Sequence, residues 1–215
     1  ASKMRALGEL VAGVAHELNN PLMASQTILH VILRNLPQDF PERDRLELIR
    51  KCNDRIAKIV DHLREFSRQK TLEFEEVDIN QPIQNALLIT GQQLLNHGIS
   101  IVRDLSENLP PVMGDPNQLE QVFLNLISNA RDAMDDANRP KKELTITSRL
   151  SRDDGNPALM VVVRDTGMGI ASENMSKIME PFFSTKPVGK GTGLGLSLCF
   201  GILEAHRGRI EIKSK

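Results

Sequence analysis

The spacing of apolar residues changes near residue 70, and this change limits the fold more than any other feature of the chain. Across residues 4–36 and 46–67, apolar residues recur in alternating steps of about three and four, as along one face of a long helix. Two such helices predict an antiparallel hairpin, and dimerisation into a four-helix bundle would cover its remaining apolar surface. The predicted seam contains Met4, Leu7, Val11, Val14, Leu18, Pro21 or Leu22, Ser25, Ile28, Ile32 and Leu36 in the first helix, and Leu46, Ile49, Asn53, Ile56, Val60, Leu63 and Phe66 or Ser67 in the second.

From about residue 71 the pattern alternates between strands and helices, which predicts an α+β sandwich of helices over one sheet. Predicted helices begin at Asn80, with Asn as the cap and Pro82 in the first turn, at Asp115 and near Gly193. We therefore expect a helical domain at residues 1–70 and a second domain at residues 71–215. The predicted strands are residues 72–79, 100–105, 143–150, 158–164 and 209–213, the third and fourth forming a hairpin.

Composition and charge exclude several classes of function. The net charge of −1 offers no basic surface for nucleic acid or anionic lipid, and the aromatic content of 3%, without Trp or Tyr, argues against base stacking. No apolar run approaches the ~20 residues that cross a bilayer. Cys52 and Cys199 match no metal-ligand spacing and are expected to be reduced. We expect a cytoplasmic segment of a soluble or membrane-bound parent, with no nucleic-acid or membrane contact of its own.

A His-Glu-Leu-Asn-Asn-Pro run begins at His16 in the first helix. His16 lies about 200° around the helix from both Val14 and Leu18, so a seam that buries those residues turns the imidazole outward. An exposed imidazole is mostly neutral and nucleophilic at cellular pH. Glu17 is placed to orient the ring or take its proton, and Asn20 lies on the same face. For a lone histidine an ordinary surface role is the simpler interpretation, and the surrounding residues favour a nucleophile.

The helix that begins at Asp115 carries a polar stripe along one face. Asparagine is a poor helix former, so Asn125 and Asn129 on one face need an explanation. A carboxamide oxygen suits Mg²⁺ that keeps several waters and bridges nucleotide phosphates, although an exposed polar face without a ligand is the alternative. The stripe contains Gln118, Gln121, Asn125, Asn129 and Asp132, opposite Leu119, Val122, Phe123, Leu126, Ile127, Ala130 and Met134.

Two glycine-marked segments follow. In the first, Asp165 ends a valine-rich strand and precedes Gly167 and Gly169. Its carboxylate can accept from the exocyclic amine of adenine while the glycines let the backbone turn. An ordinary glycine turn is the alternative interpretation.

The second segment, residues 189–196, opens a helix and suits a polyphosphate, because glycines allow close approach to the positive helix end. It matches neither a Walker loop nor a dinucleotide fingerprint. Between the two segments, residues 171–190 include a Glu-Pro-Phe-Phe-Ser-Thr-Lys run and are expected to form a mobile lid with an aromatic hinge.

Together these segments resemble the catalytic core of the sensor histidine kinase family. The phosphoacceptor box is at His16, and the asparagine, first glycine, phenylalanine and second glycine boxes are at residues 125–134, 165–169, 181–186 and 191–195. The lid and the Asn-Ala-Arg-Asp-Ala-Met sequence look most like the nitrogen-regulatory type. The resemblance implies a dimeric helical hairpin followed by the ATP-binding fold shared with gyrase, Hsp90 chaperones and mismatch-repair ATPases.

The same resemblance implies a protein-histidine kinase that uses ATP and Mg²⁺. His16 would accept the phosphoryl group with the help of Glu17, and pass it to an aspartate on the receiver domain of a response regulator. Asn20 would position the water that removes phosphate from that receiver, which adds a phosphatase activity.

At the nucleotide, the resemblance implies that Asn129 chelates Mg²⁺, Asn125 assists at the phosphates and Asp165 recognises adenine. Many family members carry Lys or Arg where Asp132 stands, so phosphate neutralisation is expected to fall to Lys186 or Lys190. The other residues expected to contact the nucleotide are Gly167, Gly169, Phe182, Phe183, Gly191, Thr192, Gly193, Leu194 and Gly195.

Two alternatives have different chemistry. A hydrolytic ATPase of this fold places a glutamate four residues before the metal-binding asparagine, and here that position is Asn125, which is no base at neutral pH. A non-catalytic dimeric scaffold with a dead nucleotide pocket would not need His16, Asn129 and Asp165 together. The family's domain usually ends with another strand pair, so with Lys215 as the last residue we expect that pair to be missing.

Overall fold

The computed structural model describes residues 2–67, 73–137, 139–153, 155–186 and 191–214, and the side chains of these residues except 1–12, 16, 58–59, 61–67 and 153. The chain divides into two compact units, one made of residues 1–70 and 184–194 and the other of residues 71–183 and 195–215. The sequence placed residues 184–194 in the second domain, whereas they group here with the helices. The predicted domain limits stay a prediction.

The first unit contains the predicted helical hairpin. Helix α1 is Ser2–Asn35 and helix α2 is Arg43–Ser67. Arg43 closes the loop between them, because its Nη1 donates to the carbonyl oxygens of Leu36 (3.0 Å) and Pro37 (3.3 Å). Helix α1 continues past Pro21 without interruption.

Within one chain, the seam predicted for α1 is buried at Leu22 but not at several other positions. Val14, Leu18 and Ile28 are 52%, 44% and 60% exposed. An antiparallel partner helix covers only one stripe of a helix, and in this hairpin α2 covers the adjacent stripe. The buried residues of α1 are Ala15, Leu22, Leu29 and Leu33, and Ala15 and Leu22 pack with Ala57 and Val60 of α2.

The second helix also departs from the predicted seam. Asn53 and Val60 are buried as predicted, whereas Ile49 and Ile56 are 48% and 44% exposed. The amide of Asn53 donates to Ser25 Oγ at 2.8 Å, which satisfies its buried nitrogen. One apolar stripe on each helix therefore remains uncovered within a single chain.

The described residues of the second unit form two small sheets rather than the predicted single one. Strands β1 (Glu75–Val77) and β3 (Val112–Gly114) pair antiparallel, and β3 was not predicted. In the other sheet, β4 (Lys142–Asp153) lies between β2 (Ile99–Leu105), to which it is parallel, and β5 (Asn156–Asp165), to which it is antiparallel. The predicted β4–β5 hairpin is thus present and longer than expected.

Residues 209–214 form no strand, contrary to the prediction. A strand needs a neighbouring strand for its ladder of hydrogen bonds, and no described strand pairs with this segment. Side chains hold it instead, since the backbone N–H of Ile170 donates to Ser214 Oγ at 2.7 Å and Ile210 packs on the apolar cluster that contains Val122 and Cys199.

Helix α3 is Asn80–Asn96, and the prediction that Asn80 caps it is wrong. The Asp78 carboxylate accepts from the Asn80 backbone N–H at 3.0 Å. The Asn80 side chain instead donates to the carbonyl of Ser106 (2.9 Å) and accepts from the buried Ser148 hydroxyl (2.7 Å). A tertiary contact therefore takes the side chain that local preference assigned to the cap.

Helices α4 (Pro116–Asp136) and α5 (Gly195–Ala205) complete the second unit. As predicted, Asp115 caps α4, and its carboxylate accepts from the N–H groups of Asn117 (3.0 Å) and Gln118 (3.2 Å). Helices α3 and α4 cover the larger sheet, and their shared core contains Ile83, Ala86, Leu87, Leu94, Ile99, Leu119, Phe123, Ile127, Ala130, Met134, Leu144 and Ile146.

The far end of α5 is tied to the start of α4. His206 Nε2 accepts from the Asp115 backbone N–H at 2.9 Å, while Nδ1 lies 2.8 Å from the Ile202 carbonyl oxygen. With Nε2 as the acceptor, Nδ1 is assigned as the nitrogen that donates to this carbonyl. A side chain at Gly114 would meet the ring, because an added Cβ lies 2.8 Å from His206 Cδ2. No helix in the described part of the chain is long and apolar enough to span a membrane.

Candidate functional site

The predicted polar stripe of α4 meets the first turn of α5. A Cβ placed on Gly195 would lie 3.8 Å from Asn129 Nδ2 and 3.9 Å from Asn125 Oδ1. Both asparagine amides therefore stand beside the N-terminal end of an 11-residue helix. Asn125 Nδ2 is buried and has no hydrogen-bond partner within normal distance among the described residues, and the neighbouring Cys199 sulfur is at most a weak acceptor for it. A buried amide without a partner is costly and calls for an explanation such as a ligand or a water.

Beneath this face, α4 and α5 pack through an apolar cluster that includes Val122, Cys199 and Ile202. Burial raises the pKa of the Cys199 thiol to about 12. The thiol is therefore protonated at neutral pH and directs its proton at the Val122 carbonyl oxygen, 3.8 Å away. Cys199 is a structural residue rather than a reactive one.

The turn after β5 is fixed against α4 at Ala133. The Met168 N–H donates to the Ala133 carbonyl at 3.1 Å, and the Gly167 N–H donates to Asp165 Oδ1 at 2.7 Å. A Cβ at Gly167 would lie only 2.7 Å from the Ala133 Cβ, so the close approach of turn and helix requires glycine. Gly169 has a φ of 77°, in the left-handed region that favours glycine.

These contacts place three sequence-predicted parts along one helix. Asn125 and Asn129 stand beside the start of α5. The turn that carries Asp165 is attached at Ala133, four residues after Asn129 on the same helix. Asp165 is exposed at the strand end. Free backbone N–H groups at a helix start suit phosphate, amide oxygens suit a hard cation, and a carboxylate at a turn suits an amine. The donor set therefore fits a nucleoside polyphosphate with a divalent cation.

Asp132 has a partner that sequence reasoning missed. Arg131 donates to Asp132 Oδ1 from Nε (3.0 Å) and from Nη2 (2.6 Å). Adjacent residues on a helix do not normally face each other, so the sequence pattern carried no signal for this ion pair. The attachment of the 165–169 turn to the Ala133 carbonyl was missed for a different reason, since every residue type carries a main-chain acceptor.

The two phenylalanines of the predicted lid lie in the second unit. Phe182 is 54% exposed with a φ of 69°, a strained conformation for a bulky residue. The Phe183 N–H donates to the Glu180 carbonyl at 3.2 Å.

Residues 184–194 group with the helical unit. The Lys186 N–H donates to Ser184 Oγ (3.2 Å), and a Cβ on Gly191 would lie 2.4 Å from the same oxygen. The Leu194 N–H donates to Thr192 Oγ1 at 3.4 Å, and Gly193 has a φ of 67°. Lys190 lies outside the described residues.

The predicted phosphoacceptor run lies in the middle of α1. Glu17 and Asn20 are exposed, while Ala15 is buried. His16 belongs to the helix, but its side chain lies outside the described part of the structure, so the predicted outward orientation stays a prediction.

Two family models match the chain. The His Kinase A (phospho-acceptor) domain matches residues 6–72, and the histidine kinase-, DNA gyrase B- and HSP90-like ATPase model matches residues 114–215. The solved catalytic domain of the histidine kinase ThkA is 30% identical, with a TM-score of 0.53, over 62% of this chain and 82% of that one. The chain belongs to the histidine kinase family.

Further relatives are similar over nearly the whole of this histidine kinase core. Sensor kinase CckA of Brucella abortus is 36% identical over 100% of this chain and 23% of its own length. A structure of ThkA in complex with the response regulator protein TrrA is 26% identical, with a TM-score of 0.63, over 96% of this chain and 57% of that one. The chain thus spans less than a quarter of CckA. The predicted fold, a helical hairpin followed by an ATP-binding domain of the gyrase and Hsp90 type, is confirmed.

Proposed function

We propose that this histidine kinase core transfers the γ-phosphoryl group of ATP to His16 and then to an aspartate on a response regulator. An imidazole nitrogen attacks the γ-phosphorus, the bond to the bridging oxygen of ADP breaks, and the imidazole proton passes to Glu17 or to water. The observation that best supports a nucleotide at this site is the buried Asn125 amide without a partner, beside the first turn of α5. The match to the ATPase family model over residues 114–215 supports ATP as that nucleotide.

Asn129 is the residue we propose as a Mg²⁺ ligand. Its amide stands beside Gly195 and on the same face as Asn125, and a hard cation with several waters needs few protein ligands. When bound, Mg²⁺ would neutralise phosphate charge. The asparagine at position 125 lacks the basicity of the glutamate that activates water in hydrolytic relatives, which favours transfer over ATP hydrolysis.

The position of residue 16 on α1 is compatible with an accessible nucleophile. At about 100° per residue, position 16 lies about 115° from the centre of the stripe that α2 buries. It lies about 160° from the exposed apolar stripe that contains Val14, Leu18 and Ile28. Asn20 is exposed on the same face, and Glu17, the next residue along the helix, is exposed about 100° away.

A homodimer is part of the proposal. Val14, Leu18 and Ile28 of α1, with Ile49 and Ile56 of α2, leave an apolar surface exposed within one chain. A second copy would bury that surface in a four-helix bundle while leaving position 16 outside it. The match to the phosphoacceptor family model supports this arrangement.

The receiver domain of a response regulator is the proposed partner, supported by the ThkA complex with TrrA. The nitrogen-regulatory subtype is a finer part of the proposal and depends on the Asn-Ala-Arg-Asp-Ala-Met sequence and the short lid.

Incubation of the kinase with γ-labelled ATP, Mg²⁺ and a panel of receiver domains tests both the proposed partner and the proposed subtype. We expect acid-labile, base-stable label on the kinase and rapid transfer to one receiver. ATP consumption without a labelled kinase would favour the ATPase alternative.

Replacing Asp165 by Asn tests whether the carboxylate recognises adenine. The amide oxygen of Asn can still accept from the Gly167 N–H, now 2.7 Å from Asp165 Oδ1, so the turn should persist. We expect ATP binding to weaken about tenfold or more, and binding of a purine nucleotide without the 6-amino group to change little, because a charge-assisted bond to that amine is lost. Calorimetric titration measures both affinities. Equal weakening of the two nucleotides would show that the carboxylate only stabilises the turn.

Replacing Asn20 by Ala separates kinase from phosphatase activity. A neutral amide can hold a water for attack on the receiver's acyl phosphate, but it is not required when His16 attacks ATP. We expect His16 labelling within about threefold of wild type, with most phosphatase activity lost, measured as decay of phosphorylated receiver. Asn19→Ala, one position away on the helix, is the matched control and should retain both activities. Parallel loss of labelling and decay in Asn20→Ala would contradict the division of roles.

A further inference from the structure

An acidic residue stands on the part of α4 that the proposed nucleotide site uses. Asp132 follows Asn129 by three positions and therefore lies on the same helix face, and its neighbour Ala133 holds the turn that carries Asp165. Asp132 thus lies between the proposed metal ligand and the proposed adenine contact. A carboxylate there repels the phosphates of a nucleotide unless its charge is compensated.

Arg131 contributes to that compensation, and contacts with Gln93 and Ser128 hold its guanidinium in place. Its Nε and Nη2 both donate to Asp132 Oδ1, at 3.0 and 2.6 Å. Its Nη1 donates to Gln93 Oε1 on α3 at 2.7 Å, and Nη2 also lies 3.3 Å from Ser128 Oγ. The two charged side chains are only 20% and 26% exposed, so solvent screens the pair less than a surface ion pair.

The anchoring by Gln93 is needed because neighbouring residues on a helix point about 100° apart. An arginine free in solvent would not remain turned toward the residue that follows it. The contact with α3 fixes the guanidinium across the helix surface, and the guanidinium in turn draws the Asp132 carboxylate to its own side of α4.

We propose that Arg131 is a positioning residue for nucleotide binding: it orients and neutralises the Asp132 carboxylate, so that a polyphosphate can bind along a helix face that carries an acid. The inference rests on the proposed function, since it assumes that ATP binds on this face. It assigns Arg131 an indirect role, which acts through the Asp132 carboxylate. Loss of Arg131 should weaken nucleotide binding, because the Asp132 carboxylate then repels the phosphates. The weakening should grow with the number of phosphates on the ligand.

The test compares adenosine, ADP and ATP, each titrated by calorimetry into the folded kinase at fixed ionic strength. For Arg131→Ala we expect the Kd for ATP to rise about three- to tenfold, that for ADP to rise less and that for adenosine to stay unchanged. The penalty for ATP should shrink as KCl is raised, because salt screens the repulsion. Arg131→Lys keeps the charge without the guanidinium fork. Its increase in log Kd for ATP should be less than half of the increase in Arg131→Ala.

A double variant distinguishes charge compensation of Asp132 from direct contact between Arg131 and phosphate. In Arg131→Ala/Asp132→Asn the net charge of the pair is again zero, and we expect ATP affinity within about twofold of wild type. Arg149→Ala is the matched control, since Arg149 forms an ion pair with Asp104 on the sheet, and its loss should leave the ratio of ATP to adenosine affinity unchanged.

Several outcomes would overturn the inference. One is equal weakening of adenosine and ATP in Arg131→Ala, which would indicate a purely structural role. Another is recovery of less than half of the loss in the double variant, which would indicate that Arg131 contacts phosphate itself. If Arg131→Ala does not fold, Asp132→Asn alone decides: a higher ratio of ATP to adenosine affinity supports the inference, and an unchanged or lower ratio overturns it. Failure of the wild-type protein to bind any of the three ligands would instead refute the proposed function.

Discussion

Replacing His16 by Gln is expected to abolish autophosphorylation while leaving ATP affinity nearly unchanged. The substitution removes the only proposed nucleophile and keeps a polar side chain of similar size, and the proposed nucleotide contacts on α4 and α5 are untouched. Incubation with γ-labelled ATP and calorimetric titration of a non-hydrolysable analogue measure the two properties separately. The expected loss of label is complete within detection.

His30→Gln is the matched control for the nucleophile. His30 is an exposed histidine on the same helix, so its replacement should leave the label at the wild-type level. Acid-labile, base-stable label persisting in His16→Gln would show that another residue accepts the phosphoryl group.

Replacing Asn129 by Ala is expected to lower the rate of phosphoryl transfer at least about 100-fold, because the proposed Mg²⁺ ligand is lost and phosphate charge is left without compensation. Binding of ATP in EDTA should change much less, since the metal contributes nothing there. Single-turnover labelling at increasing Mg²⁺ measures the effect, and saturation should move to higher Mg²⁺ or disappear. Asn129→Asp should also disturb the Mg²⁺ dependence, because it changes the charge of the ligand.

Asn117→Ala serves as the control for Asn129, since Asn117 is an exposed asparagine in the first turn of the same helix. It should retain the wild-type rate and Mg²⁺ dependence. A rate loss in Asn129→Ala that is identical at every Mg²⁺ concentration, together with equally weakened ATP binding in EDTA, would show that Asn129 shapes the pocket without holding the metal.

Periodicity predicted the helices well because a buried face leaves a repeating signal in sequence. The capped start of α4 at Asp115 and its apolar side were both confirmed, as was the β4–β5 hairpin. The same signal failed to distinguish the two apolar stripes of α1. Val14 and Ala15 are neighbours about 100° apart, and only the packing of α2 decides which of them is buried in a single chain.

The sequence predicted those parts of the candidate site in which the residue type is unusual for its position. The asparagines, the glycine turn and Asp165 are unusual residue types in their places, and the structure brings Asn125, Asn129 and Gly195 together. Contacts made through the main chain or between sequence neighbours carry no such mark. The attachment of the turn at Ala133 and the ion pair of Arg131 with Asp132 belong to this class.

By itself the sequence determined the family, the hairpin followed by an α+β unit, and the residue types available for nucleotide and phosphoryl chemistry, because these depend on local pattern and side-chain identity. Only the tertiary structure decided which stripe of α1 is buried, that residues 209–214 do not pair as a strand, and that Asn80 bonds to Ser106 and Ser148 instead of capping its helix. Each of these outcomes depends on a partner distant in the chain. Competition among such partners overrides local preference, because a buried polar or apolar group gains more from a tertiary contact than from its own backbone.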